Sequence, residues 1–522
     1  MSLKEIIDSY VAKHPEDAVK IDKEVSTDYE ITAAASLLEK PAPLLIFRKI
    51  KNYEKFMLVS NVFSSRQRIF SYFNLNEDSF YDFWDNISRR NVNYEVKKDE
   101  APVKEVIHTF SEVDLHKLPI VLHYPQDGGR YITSGIIVAR DPENFKIVNL
   151  SFARIQLIGK NEIALSMHSR GHLWTYFQKS LMLKKDLPIS VIIGAHPIYY
   201  LLAASRIQNE YSKIEGFIND YLTTGITNDL PVPANSEIIL EGKVLWDKSY
   251  PEGPFTEYTG YISNRSTNNY ALIEAMYMKD KPLYLEINPS NSKEHITLSS
   301  ISKEPIILGT IRNFFQSVSS YRLEWPLKGV HYVLFGKILK PSPGEAMQLA
   351  LLALGLDHYL KMVIISEGEQ DLTVFGLLSS MLCGYKHAIL RDVLCNRLDP
   401  SANPEGTSSK VVLIVKPHDN YEILNGKNYV DISRCGRILH IGADEVPDAH
   451  INILVDSDID PSDEDQVLWA LATRFQPSTD IKIENNEKTT FDTRGKNFKT
   501  PKLPSEVIKN VRDLILRGKV PF

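Results

Sequence analysis

Between residues 131 and 276 the chain breaks into short β-rich runs separated by turn residues, and no other feature limits its fold as much. The runs are Tyr131-Ile132-Thr133, Ile136 to Ala139, Lys146 to Leu150, Ile155 to Ile158, Ile163 to Ser166, Ile189 to Ile193, Glu237 to Leu240 and Tyr270 to Met276. Only two helical patterns interrupt them, at about 173–182 and 198–205. A doubly wound sheet needs a helix after nearly every strand, so this cadence argues for a barrel or a sandwich instead.

The flanking regions read differently. Leu3, Ile6, Ile7 and Tyr10 form one helical stripe, and Phe70, Phe73, Phe80, Phe83 and Trp84 mark a second helical region. The strand-like runs Leu44 to Phe47 and Phe56 to Val59 lie between them. Beyond Trp325 strand and helix alternate: 330–335, 346–359, 362–366, 410–415 and 437–441. From Pro477 to Pro504 the chain turns polar, and Val507, Val511, Leu514 and Leu516 then repeat at helical spacing within 505–518. A helix on such an arm either clasps a neighbouring subunit or folds back on its own domain. The expected organisation is an α+β multidomain chain: an N-terminal α/β domain over 1–104, a β-rich domain over 105–325, a C-terminal α/β domain over 326–476, and a polar arm with a terminal helix over 477–522.

Composition removes several function classes. The 522 residues carry 60 Lys and Arg against 66 Asp and Glu, a net charge of -6, so no bulk field draws the chain to nucleic acid or to an anionic membrane. The start, Met1 to Asp8, is charged where a signal peptide needs an apolar run, and Leu187 to Ala204 is broken by Pro188, His196 and Pro197. A cytoplasmic small-molecule protein is expected. Cys383, Cys395 and Cys435 form no Cys-x-x-Cys pair and are expected to be reduced and structural. Neither a phosphate-binding P-loop nor a Gly-x-Ser-x-Gly elbow occurs.

Three segments can carry chemistry. His168 and His172 are four apart, a spacing that puts two zinc ligands on one helix face, but Gly171 and the preceding strand make a continuous helix there doubtful. In Pro251-Glu-Gly-Pro-Phe-Thr-Glu-Tyr-Thr-Gly-Tyr261, Glu252 and Glu257 would point to opposite faces of a regular strand. Gly253-Pro254 breaks that regularity, so the carboxyls can converge and one can be held protonated for general acid work. The bland alternative is a surface turn with two solvated glutamates. Within Asn149 to Asn161, Arg154 sits in an apolar β-rich run, where its charge needs a carboxylate from the protein or from a substrate. A structural buried ion pair is the plain alternative.

Asn149 with Arg154, then Arg170-Gly171-His172, then Glu252-Gly-Pro-Phe-Thr-Glu257-Tyr-Thr-Gly-Tyr261 together resemble the UbiD family of prenylated-FMN-dependent decarboxylases. Leu157 to Asn161, Pro188 to Pro197 and Asn228 to Glu237 fit the same order, and the clear likeness covers about 105–290. The resemblance implies a central split β-barrel of the flavin-reductase type and a C-terminal α/β domain whose terminal helix mediates oligomerisation, as a dimer or hexamer. It implies prenylated FMN supplied by a flavin prenyltransferase, held with Mn2+ or Mg2+ and a K+ ion alongside. The implied reaction is reversible, non-oxidative decarboxylation of an aromatic, heteroaromatic or α,β-unsaturated acid.

Carried over by position, Arg154, Glu252 and Glu257 match the family's Glu-Arg-Glu set, with Glu257 as proton donor and Arg154 orienting the substrate carboxylate. Asn149 and His172 match metal ligands. A third is Glu210 or Glu215, because Glu210 keeps the Glu-Tyr pair while Glu215 keeps the distance from Asn149. Phe152, Ala153, Ser166, Met167, His168, Arg170 and Gly171 fall where the flavin is wrapped, and Lys361 resembles a lysine that meets its phosphate. The run Glu367-Gly-Glu-Gln-Asp371 departs from the family pattern near that lysine, and the 203–216 loop is short. His168, Ser169 and Arg170 would give a polar pocket wall. Two other readings stand beside this one: a split-barrel FMN oxidoreductase using nicotinamide, which would not need the Glu-Arg-Glu set, and a decarboxylase subunit active only with a partner chain.

Overall fold

The structure, a computed structural model, describes residues 1–97, 100–205, 207–315, 321–402, 407–418, 420–484, 488–496 and 498–517. They form two compact units, residues 1–306 with 500–522, and residues 307–499.

The first unit holds the β-rich region. Eight strands lie along one antiparallel path, and Val106–Thr109 pairs with Asn269–Met278 beside it. The order is Tyr131–Ile132, Arg154–Leu157, Glu162–Ser166, Asn269–Met278, Ile238–Ser249, Leu187–Ile193, Ile136–Arg140 and Val148–Phe152. Six steps separate Arg154–Leu157 from Val148–Phe152 along this path, roughly 29 Å in a flat sheet, yet Ala153 alone joins them in the chain. The sheet must therefore curl round until its ends approach, which makes it a split barrel. Apolar side chains on its strands fill two cores, one around Ile136, Val138, Leu150 and Tyr277, the other around Ile137, Ile155, Ile163 and Val191. Alternate residues of one strand feed opposite cores, as Ile136 and Ile137 do, because side chains change face at each step.

The N-terminal helices start where the apolar stripes begin. Ser2 caps Leu3–Lys13 in a reciprocal box with Glu5, and Asn76 caps Glu77–Arg89 in the same way with Ser79. A four-stranded sheet runs in the order Ala18–Ile21, Leu44–Phe47, Met57–Ser60 and Leu283–Leu285. Its last strand comes from beyond the barrel, so residues 1–104 do not complete their own sheet. The terminal helix Ser505–Arg517 packs on Glu30–Leu37 of its own chain, and Val511 and Ile515 are buried there. Within the single chain this helix folds back on its own unit.

The second unit contains two sheets. A five-stranded one runs Tyr321–Glu324, Val333–Ile338, Met362–Ser366, Thr407–Val415 and Tyr385–Leu394, and its middle strands pair in parallel. A six-stranded one runs Glu422–Asn425, Tyr429–Arg434, Arg437–Gly442, Ile451–Leu454, Lys488–Asp492 and Ile481–Glu484. The stretch expected to be a polar arm from 477 thus supplies two strands. Ile481–Glu484 is the edge strand and alternates with charged residues, while Lys488–Asp492 is paired on both sides but buries mostly threonine, so neither shows as an apolar run. The expectation that all three cysteines are reduced is corrected here: Cys383 and Cys435 form a disulfide, and Cys395 is free and buried. The pair is 52 apart in sequence with Cα atoms 5.6 Å apart, a proximity that only the tertiary fold creates.

Candidate active site

Arg154 opens the strand after Ala153, at the split of the barrel, directly across from Ser166. Its guanidinium is almost buried and reaches two carboxylates at once: Nη1 donates to Glu257 Oε1 at 2.5 Å and Nη2 to Glu252 Oε2 at 2.5 Å. Nη2 also donates to the Arg265 carbonyl, and the charge lies 5.5 Å from the centre of the Phe255 ring. The guanidinium and both carboxyls are thus removed from water, and the planar fork offsets part of that cost by donating to one oxygen of each, while Glu252 Oε1 is left without a partner among the described residues. Burial raises Glu257 above the ordinary carboxylate value, and Arg154 opposes that shift. The carboxyls separated by five residues do converge, and the solvated-turn alternative is removed by their burial.

What bends the 251–261 segment is local. Gly253 takes φ 104°, a region that favours glycine, ahead of Pro254. The loop is then held from outside. Asp127 Oδ1 accepts from the Thr256 amide at 2.8 Å and its hydroxyl at 2.9 Å. Gln156 Oε1 accepts from the Gly253 amide at 3.1 Å, while its Nε2 donates to the Gly128 carbonyl at 2.8 Å. The Gly128 amide donates to Pro254 O at 2.6 Å, and Tyr131 Oη donates to the same carbonyl at 3.2 Å. Burial and the Glu252 carboxylate both raise Tyr131, keeping the phenol protonated. Asp127, Gly128, Tyr131 and Gln156 were not legible as site residues. Gln156 lies inside the quoted Asn149–Asn161 run, but nothing in its spacing tells which loop it holds.

A second cluster lies on the preceding strand. The Asn149 amide is 2.9 Å from His172 Nδ1. With its nitrogen turned that way it also donates to Glu210 Oε1 at 3.2 Å, and its oxygen accepts from Ser151 Oγ at 2.5 Å. Glu210 is 1% exposed, and burial pushes its carboxyl up to about 8. Its Oε2 is buried with no hydrogen-bond partner among the described residues. Burial lowers His172, so its ring is neutral and able to ligate. A carboxylate and one imidazole suit Mn2+ or Mg2+, and the orphaned Glu210 oxygen fits such an ion, whereas Asn149 offers its amide oxygen to it only when turned the other way, with Oδ1 toward His172 Nδ1. Glu215 is exposed at the far end of the short helix Tyr211–Ile214 and does not join this set.

Gly171 caps helix His172–Leu183, so His168 lies before the helix and does not share a face with His172. The zinc-pair reading ends there. Ser166 and Met167 are near the strand end, the Met167 amide donating to Thr267 Oγ1 at 2.8 Å, while His168 and Arg170 are exposed. Phe152 is half-buried against Tyr200. Lys361 belongs to the second unit, where it is buried and donates to Asp399 at 3.2 Å and Ser401 at 2.9 Å. It is not among the residues that the first unit brings together.

Three models of 3-octaprenyl-4-hydroxybenzoate carboxy-lyase domains match: the N-terminal domain at 12–85, the Rift-related domain at 94–292 and the C-terminal domain at 438–508. Anhydromevalonate phosphate decarboxylase of Methanothermobacter thermautotrophicus is 28% identical over 420 residues, 77% of this chain and 95% of that protein. Phenolic acid decarboxylase of Sedimentibacter hydroxybenzoicus is 27% identical over 430 residues, 76% of this chain and 87% of that one. The UbiD-class enzyme HmfF of Pelotomaculum thermopropionicum, solved in complex with FMN, superposes with a TM-score of 0.73 at 27% identity, covering 82% of this chain and 96% of its own. An evolved dimeric form of that enzyme, in complex with prFMN, gives 0.70 at 25% identity over 82% and 97%. With its N-terminal, Rift-related and C-terminal regions each matched by a domain model of that carboxy-lyase family, the chain belongs to the UbiD family of carboxy-lyases.

Proposed function

We propose that the protein catalyses reversible, non-oxidative decarboxylation of an aromatic, heteroaromatic or α,β-unsaturated carboxylic acid with prenylated FMN. The observation that carries this reading is the bridging of Glu252 and Glu257 by one buried Arg154 guanidinium. Such a set holds one proton in reserve: two carboxylates share a single positive charge, and burial favours the protonated form of Glu257. When bound, prenylated FMN supplies the electron sink that lets the substrate lose carbon dioxide.

The chain's own residues do the rest. Arg154 orients the acid and donates to Glu252, and Glu257 gives its proton to the carbon that lost the carboxyl group. Phe152, Ala153, Ser166, Met167, His168, Arg170 and Gly171 would surround the flavin. Asn149, His172 and Glu210 hold Mn2+ or Mg2+, with K+ nearby. A flavin prenyltransferase supplies the cofactor, and the enzyme works in the cytoplasm as a homo-oligomer. The relatives named above act on a phenolic acid and on anhydromevalonate phosphate, which supports a substrate class spanning aromatic and unsaturated acids.

Glu257→Gln tests the role of the acid. Protein co-expressed with a flavin prenyltransferase should keep its flavin while decarboxylation and solvent-deuterium exchange into product both fall by about 10²–10⁴-fold. Full retained activity would sink the assignment. Oxidation of reduced nicotinamide by the purified protein would instead favour the oxidoreductase reading.

A further inference from the structure

The decarboxylation chemistry leaves one reactive cluster without a use. Cys383 closes the turn Met381–Cys383 after helix Val374–Ser380, and Cys435 sits at φ 53° in the tight turn between strands Tyr429–Arg434 and Arg437–Gly442. His418 follows strand Thr407–Val415 by three residues. Both sulfurs and an imidazole nitrogen of His418 lie within 4.8 Å of one another, with Cys435 and His418 exposed and Cys383 half-buried. Three separate stretches of the second unit therefore deliver soft donors to one accessible point.

The donor set has its own preference. Two thiolates and an imidazole are the ligands of zinc rather than of the hard cations suited to Asn149 and Glu210. Tetrahedral coordination places such donors roughly 3.5–3.8 Å apart, given metal–sulfur and metal–nitrogen distances near 2.3 and 2.0 Å. Opening the sulfur–sulfur bond and rotating the two side chains reaches that spacing, since the Cα atoms are 5.6 Å apart. Arg434 and Arg437 flank Cys435 in sequence, and Arg437 Nη1 donates to the Leu382 carbonyl at 3.4 Å, beside Cys383. Of these two, Arg437 brings its charge beside Cys383 while Arg434 turns to Gly376, Ser379 and Ser380, and the thiolate is the form that both exchanges with disulfides and binds metal.

The geometry points to a thiol-gated metal site: reduced Cys383 and Cys435 with His418 bind one zinc or similarly soft divalent ion, and disulfide formation releases it. In the first step a dithiol reductant gives two electrons and two protons to the Cys383–Cys435 bond and becomes a disulfide itself. In the second the ion displaces the two thiol protons, which leave to solvent, and water fills the fourth position. Reoxidation by a disulfide of the glutathione class reverses both steps.

Cobalt is the probe, because sulfur ligation gives a thiolate-to-cobalt charge-transfer band that an oxygen and nitrogen site cannot give. Full-length protein reduced with a phosphine and desalted should take up one such Co2+ per chain, displaceable by zinc. Protein oxidised with oxidised glutathione should show no band. Cys383→Ser and Cys435→Ser should each abolish it, and His418→Ala, an exposed change that leaves the cysteines intact, should weaken binding on the order of tenfold or more. Reduced protein with two newly reactive thiols but no band would reveal a structural disulfide only and overturn the metal site. A band that persists in the double Cys383→Ser, Cys435→Ser variant, or in oxidised protein, would overturn it as well.

Discussion

Arg154 does what no lysine in its place could do, because its fork donates to two carboxylates from two different nitrogens. Arg154→Met would leave both acids buried without a counter-charge and destabilise the first unit by about 3–5 kcal/mol. Arg154→Lys keeps the charge but only one of the two bonds, so its melting temperature should fall between those of the wild type and Arg154→Met. Glu257 adds a pH signature. Its folded value is raised, so the native state holds a proton that the unfolded chain has already lost. Its contribution to stability is therefore full below the unfolded carboxylate value and is lost as pH rises through the raised one. Comparing the two proteins as pH rises above the ordinary carboxylate value, the wild type should lose denaturation midpoint relative to Glu257→Gln, whose side chain does not titrate. Arg154, Glu252 and Glu257 stood out in the sequence as a charge inside an apolar strand and two acids around Gly-Pro, but it was their resemblance to a family pattern, not their spacing, that joined them into one set. The choice between Glu210 and Glu215 was not legible, since only the tertiary fold puts Glu210 beside Asn149 and leaves Glu215 exposed beyond the short helix.

At the scale of elements, the acid loop at 251–261 is positioned from outside by the 127–131 turn and by Gln156. Gly128 is the closest approach: a Cβ there would lie 2.3 Å from the Gly253 carbonyl oxygen, which is backbone and cannot swing away. Gly128→Ala should cost about 1–3 kcal/mol and displace the loop, seen as a lower melting temperature together with loss of decarboxylation. A variant with normal stability and activity would show that the turn does not set the loop. The strands of the barrel were readable because each has its own short apolar run. Their partners were not, because pairing joins residues such as Arg154 and Ser166 through a hydrogen-bonded register rather than through sequence pattern.

Across the whole molecule, chain segments far apart in sequence complete one another. Leu283–Leu285 finishes the N-terminal sheet, and helix Ser505–Arg517 returns to the first unit. Ile515 is 2% exposed there, so Ile515→Ala should destabilise that unit by about 2–5 kcal/mol, measured by chemical denaturation. An unchanged midpoint would mean that the helix does not dock in solution. The apolar stripe of this helix was plain in the sequence, but the surface that covers it was not, because an amphipathic pattern reveals a buried face without naming what buries it. The same division holds for the chemistry. The sequence by itself determined the β-rich centre, the alternating flanks and the residue types able to bind a carboxylate, since periodicity and the cost of burying charge are local properties. The tertiary structure alone decided that the two glutamates meet on one guanidinium, that Glu210 joins Asn149 and His172, and that Cys383 finds Cys435. Those meetings depend on how a curled sheet and distant turns bring backbone positions together, which local preference does not encode.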